Sequence, residues 1–87
     1  MVYLIRPADN LEKKFVKFAK RNPAVYAQLM KKLEGISQNP YPYKSMRNVL
    51  KGNYRVHIGH FVLIYGVEES SKTIWLKGFD HHDIVYG

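Results

Sequence analysis

Eighty-seven residues are enough for one domain around one core, and a chain of this length buries only about 60–65% of the surface it exposes when unfolded. Hydrophobic residues at 46% and aromatics at 14% exclude a disordered polyelectrolyte, and the absence of cysteine excludes disulfides and thiolate metal centres. Fourteen Lys and Arg against seven Asp and Glu leave a net charge of +7, which draws polyanions, nucleic acid first; an acidic protein partner or simple solubility are other uses of such charge.

The apolar stretch at residues 2–5 is too short for the core of a signal peptide, and the longest apolar run, residues 61–65, is far too short to cross a bilayer. A cytoplasmic protein with no membrane partner is therefore expected. Residues 2–6 alternate as a short strand that Pro7 ends. Asp9 or Asn10 can cap a following helix, in which Leu11, Phe15, Phe18 and Ala19 form an apolar stripe and Lys13, Lys14, Lys17, Lys20 and Arg21 cover the remainder as a solvated face. Asn22-Pro23 is a second start signal, with Val25, Leu29, Leu33 and Ile36 at helical spacing after it. Asn39-Pro40-Tyr41-Pro42 then breaks the chain into a helical half and a β half.

In the β half, residues 54–58 alternate, Gly59-His60 suits a two-residue type II′ turn with glycine first, and residues 61–67 return. A turn over residues 68–72 leads to a last strand over 73–78. The order β-α-α-β-β-β predicts a single α+β domain over residues 1–87, an antiparallel sheet with a two-helix hairpin packed on one face. With Gly59 and His60 as the loop, Ile58 faces Phe61, Val56 faces Leu63 and Tyr54 faces Tyr65, all on the core side. Arg55 and His57, opposite Ile64 and Val62, then share the helix-free side with Thr73, Trp75 and Lys77.

Asp80-His81-His82-Asp83-Ile84-Val85-Tyr86 is the most unusual segment. Histidines that titrate near neutrality, close to cations able to hold a phosphate, are what acid–base cleavage of RNA requires. One group takes the proton of the attacking 2′-hydroxyl, another protonates the departing 5′-oxygen, and fixed cations stabilise the phosphate; no metal or organic cofactor is needed. A histidine-rich end can equally be plain solvated surface. The ligand types Asp80, His81, His82 and Asp83 lack metal-site spacing, so no metal is expected. Trp75 is an exposed ring beside cations and suits base stacking, although it can also pack on Tyr86 or the Pro-rich segment. Lys44, Arg47 and Lys51 precede the hairpin and extend the positive surface if their loop folds toward it.

The run Leu50-Lys51-Gly52-Asn53-Tyr54-Arg55-Val56-His57-Ile58-Gly59-His60-Phe61-Val62-Leu63-Ile64-Tyr65, with the ending His81-His82-Asp83-Ile84-Val85-Tyr86, resembles the RelE/ParE superfamily of toxin–antitoxin toxins, its RelE-type branch most. The resemblance covers nearly the whole chain. It implies a RelE-like fold and a ribosome-dependent mRNA endonuclease that inhibits translation through 2′-hydroxyl attack. It assigns Arg55 to phosphate binding, His57 to a supporting or acid–base role, and Tyr86 and one of His81 and His82 to the chemistry. It also implies an acidic, RelB-like antitoxin.

The chain departs from that pattern at Phe61-Val62, where many active members have an arginine soon after the turn. Lys77 or Arg55 would then have to supply the missing cation, or activity is weak or lost. The alternatives are a ParE-type toxin directed at DNA gyrase, a toxin-like domain that only pairs with an antitoxin, and a nucleic-acid binder without cleavage.

Overall fold

The computed structural model describes residues 2–41, 44–45 and 53–86. Their order is β1 (Leu4–Pro7), α1 (Leu11–Arg21), α2 (Pro23–Gln38), β2 (Lys44–Ser45), β3 (Asn53–Ile58), β4 (Phe61–Glu68), a 3-10 turn (Glu69–Ser71), β5 (Thr73–His81) and α3 (His82–Tyr86).

Local signals set most of these boundaries. Asn22 closes α1, its N–H donating to the Phe18 carbonyl, and Pro23 opens α2 where a missing N–H costs nothing. Asn10 is the N-cap of α1, in the left-handed region at φ 70°, and its side chain makes no capping hydrogen bond. In the β3–β4 turn Gly59 takes φ 62°, and His60 is not among the positive-φ residues, as a type II′ turn requires.

The sheet order is β1-β5-β4-β3-β2. The β3–β4 register pairs Tyr54 with Tyr65, Arg55 with Ile64, Val56 with Leu63, His57 with Val62 and Ile58 with Phe61, as the alternation predicts. The antiparallel expectation needs one correction: β1 pairs parallel with β5, Leu4 with Thr73 through Pro7 with Leu76. The cause is that the helical pair returns the chain once, not twice. Gln28, early in α2, lies by the Gly59 turn, whereas Ser37 at its other end accepts a hydrogen bond from the Tyr3 N–H at the start of β1, 2.7 Å away. β3 therefore starts at the same end as β1, and two antiparallel turns bring β5 into the same direction.

Both long helices bury their stripes on one sheet face. Leu11, Leu29, Leu33 and Ile36 meet Val56, Ile58, Leu63, Tyr65, Ile74, Leu76 and Phe79. Phe18 packs edge-on to Phe61 and Phe79, with ring centroids 4.8 and 5.0 Å away. The buried Tyr65 hydroxyl donates to the Pro40 carbonyl at 2.6 Å, which fixes the chain where it leaves α2. At that same end Glu69 accepts from Tyr3, Tyr41 and Lys72. Donation by Lys72 and then by Tyr41 holds the Glu69 carboxyl down at about 2, while the carboxylate pushes the Tyr41 hydroxyl and the Lys72 ammonium upward.

Candidate nucleic-acid interface

The helix-free face is built from three rungs across β3, β4 and β5. One end carries His57, Val62 and Asp80; the middle carries Arg55, Ile64 and Gly78; the other end carries Asn53, Gly66 and Trp75. The outer rungs are four residues apart, about 13 Å at strand rise. A register shift in the β4–β5 pairing leaves Lys77 as an extra residue between the Leu76 and Gly78 pairs, a β-bulge that re-aims its side chain.

At the first end, β5 runs three residues beyond its predicted stop and turns directly into α3. Alternation through this junction sends the adjacent histidines to opposite sides of the sheet. His82 lies beside His57, with ring centroids 6.1 Å apart and planes tilted by 39°. His81 pairs with Phe61 on the helix-covered side, stands edge-on to that ring at 5.5 Å and stacks on His60 at 6.1 Å. Its Nδ1 accepts the Asp83 N–H at 3.2 Å, so this ring is occupied in starting α3. Asp83 also places Oδ1 3.4 Å from Nδ1 of His82.

Val62 is fully buried although it points to the helix-free side. α3 packs against β4 and β5 at this end. The face is thus closed at its histidine end, which was not foreseen for a face expected to lie open. Asp80, on the same rung, is bridged by Lys14 of α1, which reaches it past the edge of β5 that β1 leaves uncovered beyond Pro7.

Lys77 does not join the histidines. Its stem lies back across Gly66, and its Nζ donates to Asn53 Oδ1 at 2.8 Å on the far rung. The expectation that Lys77 stands in for a cation beside the histidines is corrected by this geometry: the bulge turns the side chain the other way. Trp75 is on the same far rung, 36% exposed, with Nε1 3.4 Å from Glu68 Oε2. Thr73, two residues before Trp75 on the same strand, is buried, its hydroxyl donating to the Ser71 carbonyl.

Lys44 pairs in register with Arg55 through β2. Arg47 and Lys51 lie outside the described residues. Tyr86 is the last residue of α3, which puts its backbone near the histidine end. Among the described residues no group of three or more His, Asp or Glu is arranged to hold a metal ion.

The family model for the ParE toxin of type II toxin–antitoxin systems matches residues 5–86. The chain belongs to the RelE/ParE superfamily of type II toxins. A toxin candidate of Methanocaldococcus jannaschii, RelE4, is 41% identical over 86 residues, covering 98% of this chain and 92% of that one. Among solved structures, the RelBE2 toxin–antitoxin complex of Mycobacterium tuberculosis matches with TM-score 0.78 at 20% identity, over 93% of this chain and 99% of that chain. A mutant of Escherichia coli RelE in the free state matches with TM-score 0.79 at 17% identity, over 99% and 90%. These likenesses bear out the RelE-like α+β fold of the toxin. What they leave to its own geometry is the arrangement of His57, His82, Arg55 and Lys77, which low identity does not carry over.

Proposed function

We propose that this toxin is a metal-independent endoribonuclease that cuts mRNA on the ribosome and so blocks translation. The observation that carries the proposal is the meeting of His57 and His82, 25 residues apart in sequence, on the one sheet face that also holds Arg55. Two imidazoles 6.1 Å apart can flank one phosphate. One withdraws the proton of the 2′-hydroxyl as its oxygen bonds to phosphorus; the other protonates the 5′-oxygen as the P–O bond breaks, leaving a cyclic phosphate and a 5′-hydroxyl. Arg55, on the adjoining rung, is the cation placed to stabilise the charge that gathers on the phosphate. His82 is preferred to His81 for this role, because His81 pairs with Phe61 and its Nδ1 accepts the Asp83 N–H.

The partner that restrains the toxin is an acidic antitoxin. The net charge of +7 supports this, as does the likeness to a toxin–antitoxin complex. Addition of the protein to a translation extract, followed by mapping of message 5′ ends, tests the activity; intact message in the presence of folded protein overturns it. A gyrase-directed toxin is the second reading, favoured by the ParE description of the matching family model and by an aliphatic Val62 where a cation was expected. Loss of DNA supercoiling by gyrase with the message left intact would decide for it.

A further inference from the structure

The far rung of the face is a notch. Its floor is Gly66, its walls are Asn53 and Trp75, and the Lys77 ammonium lies in it. A Cβ built on Gly66 would stand 2.9 Å from Lys77 Cε and 3.0 Å from both Lys77 Nζ and Asn53 Oδ1. The space that any other side chain would fill is therefore the space that the ammonium uses. Gly66 carries no positive φ, so the glycine is not there for the backbone. A glycine inside a strand gives up side-chain packing and costs conformational entropy. Here it leaves room for a long side chain from the neighbouring strand to lie across the rung that also carries the exposed Trp75.

We infer that Trp75, Lys77 and Asn53 over Gly66 form a second nucleotide subsite, which takes a base and phosphate flanking the scissile bond. The inference rests on the RNA-binding part of the proposed function and deepens it. Trp75 offers a π face for a base, and Lys77, held by Asn53, offers a positioned cation for the adjoining phosphate. At about 13 Å along the strand from the His57–His82 rung, the notch is too far for one phosphate to touch both. Arg55 lies midway and links them. The bulge at Lys77 is what divides the cations between two sites; in a regular strand the residue would stand out from its own rung. Asn53 and Gly66 are positioning residues, since each acts through Lys77.

Trp75 is the single tryptophan of the chain, so its emission reports on this notch alone. The test titrates the full chain with 2′-O-methyl oligouridylates, which cannot be cleaved, following tryptophan emission and the anisotropy of labelled oligonucleotide together. A hexanucleotide is expected to quench Trp75, and a dinucleotide bound at one rung to quench it far less. Gly66→Ala keeps every charge, and the atoms its methyl meets are chiefly the end of a flexible lysine. It should unfold at the wild-type temperature or above, yet bind the hexanucleotide about 10-fold more weakly with reduced quenching, within the range for losing one stacked base. Lys77→Ala should lower the salt slope of binding by about 0.7, one phosphate contact on a single strand.

Hexanucleotide binding without quenching, with Gly66→Ala equal to wild type, overturns the subsite and leaves the RNA face standing. Quenching that depends on Gly66 while message stays intact in extract upholds the subsite and overturns the nuclease. No binding by anisotropy overturns the subsite together with the RNA face.

Discussion

Replacing Val62 by arginine is the obvious way to supply the cation that the sequence lacks after the turn, and the structure predicts that it will fail. Val62 is fully buried, at the end of the face where α3 packs on β4 and β5. A guanidinium cannot stay there unpaired, so the side chain must leave and α3 must lift. Losing the burial of a valine costs about 1.5–2 kcal/mol. Asp80 lies opposite Val62 in register and can accept the new arginine, but only in competition with Lys14, and a solvent-exposed pair returns about 0.2–1 kcal/mol. The net loss is about 1 kcal/mol, or roughly 4–8 °C in Tm for a domain of this size. A five-residue terminal helix has little stability of its own, so the loss should be local to it. Since α3 begins with His82, cleavage should fall, not rise. Thermal unfolding by circular dichroism, with hydrogen exchange of the α3 amides, measures both effects. An unchanged Tm, α3 amides as protected as in the wild type and a gain in cleavage would refute the account.

The two histidines should separate cleanly. His82→Ala is expected to slow message cleavage by about 10²–10⁴-fold, the usual range for losing a general acid or base, whereas His81→Ala should change it several-fold at most. Equal losses in single-turnover cleavage would sink the assignment. Tyr65→Phe removes the donor to the Pro40 carbonyl and leaves a buried acceptor unsatisfied, so it should cost about 1–3 kcal/mol in urea unfolding; a neutral result means that water or another donor reaches Pro40. The Glu69 carboxyl is depressed from an ordinary 4.5 to about 2 by Lys72 and Tyr41, so its contribution to stability is complete above pH 4.5 and disappears as pH falls toward 2. Glu69→Gln should flatten Tm against pH across that window; a profile parallel to the wild type would show that the cluster is not coupled to folding.

Much of the fold was written in local patterns. The Asn22-Pro23 break, the Gly59-His60 turn and the alternation on either side of it each encode one boundary or one register, and the structure has all of them. The direction of β1 against β5 was not available in the same way. It depends on α2 running the length of the sheet by itself, and the spacing of apolar residues says which face a helix buries but not how it crosses a sheet. α3 was missed because a single helical turn leaves no period to detect, and its start depends on His81 accepting the Asp83 N–H.

The candidate site shows the same division on a finer scale. Alternation placed Arg55, His57 and Trp75 correctly, because each sits in a regular part of its strand. It could not choose between His81 and His82, since that choice needs the point at which β5 stops, three residues later than its pattern suggests. Nor could it place Lys77, because a bulge inserts one residue without altering the apolar pattern on the core side. One trace of the bulge was nonetheless present. Gly66 interrupts an otherwise apolar strand, and in the structure a neighbouring side chain lies across it. Here that occupant is Lys77, whose ammonium reaches Asn53 on the far rung.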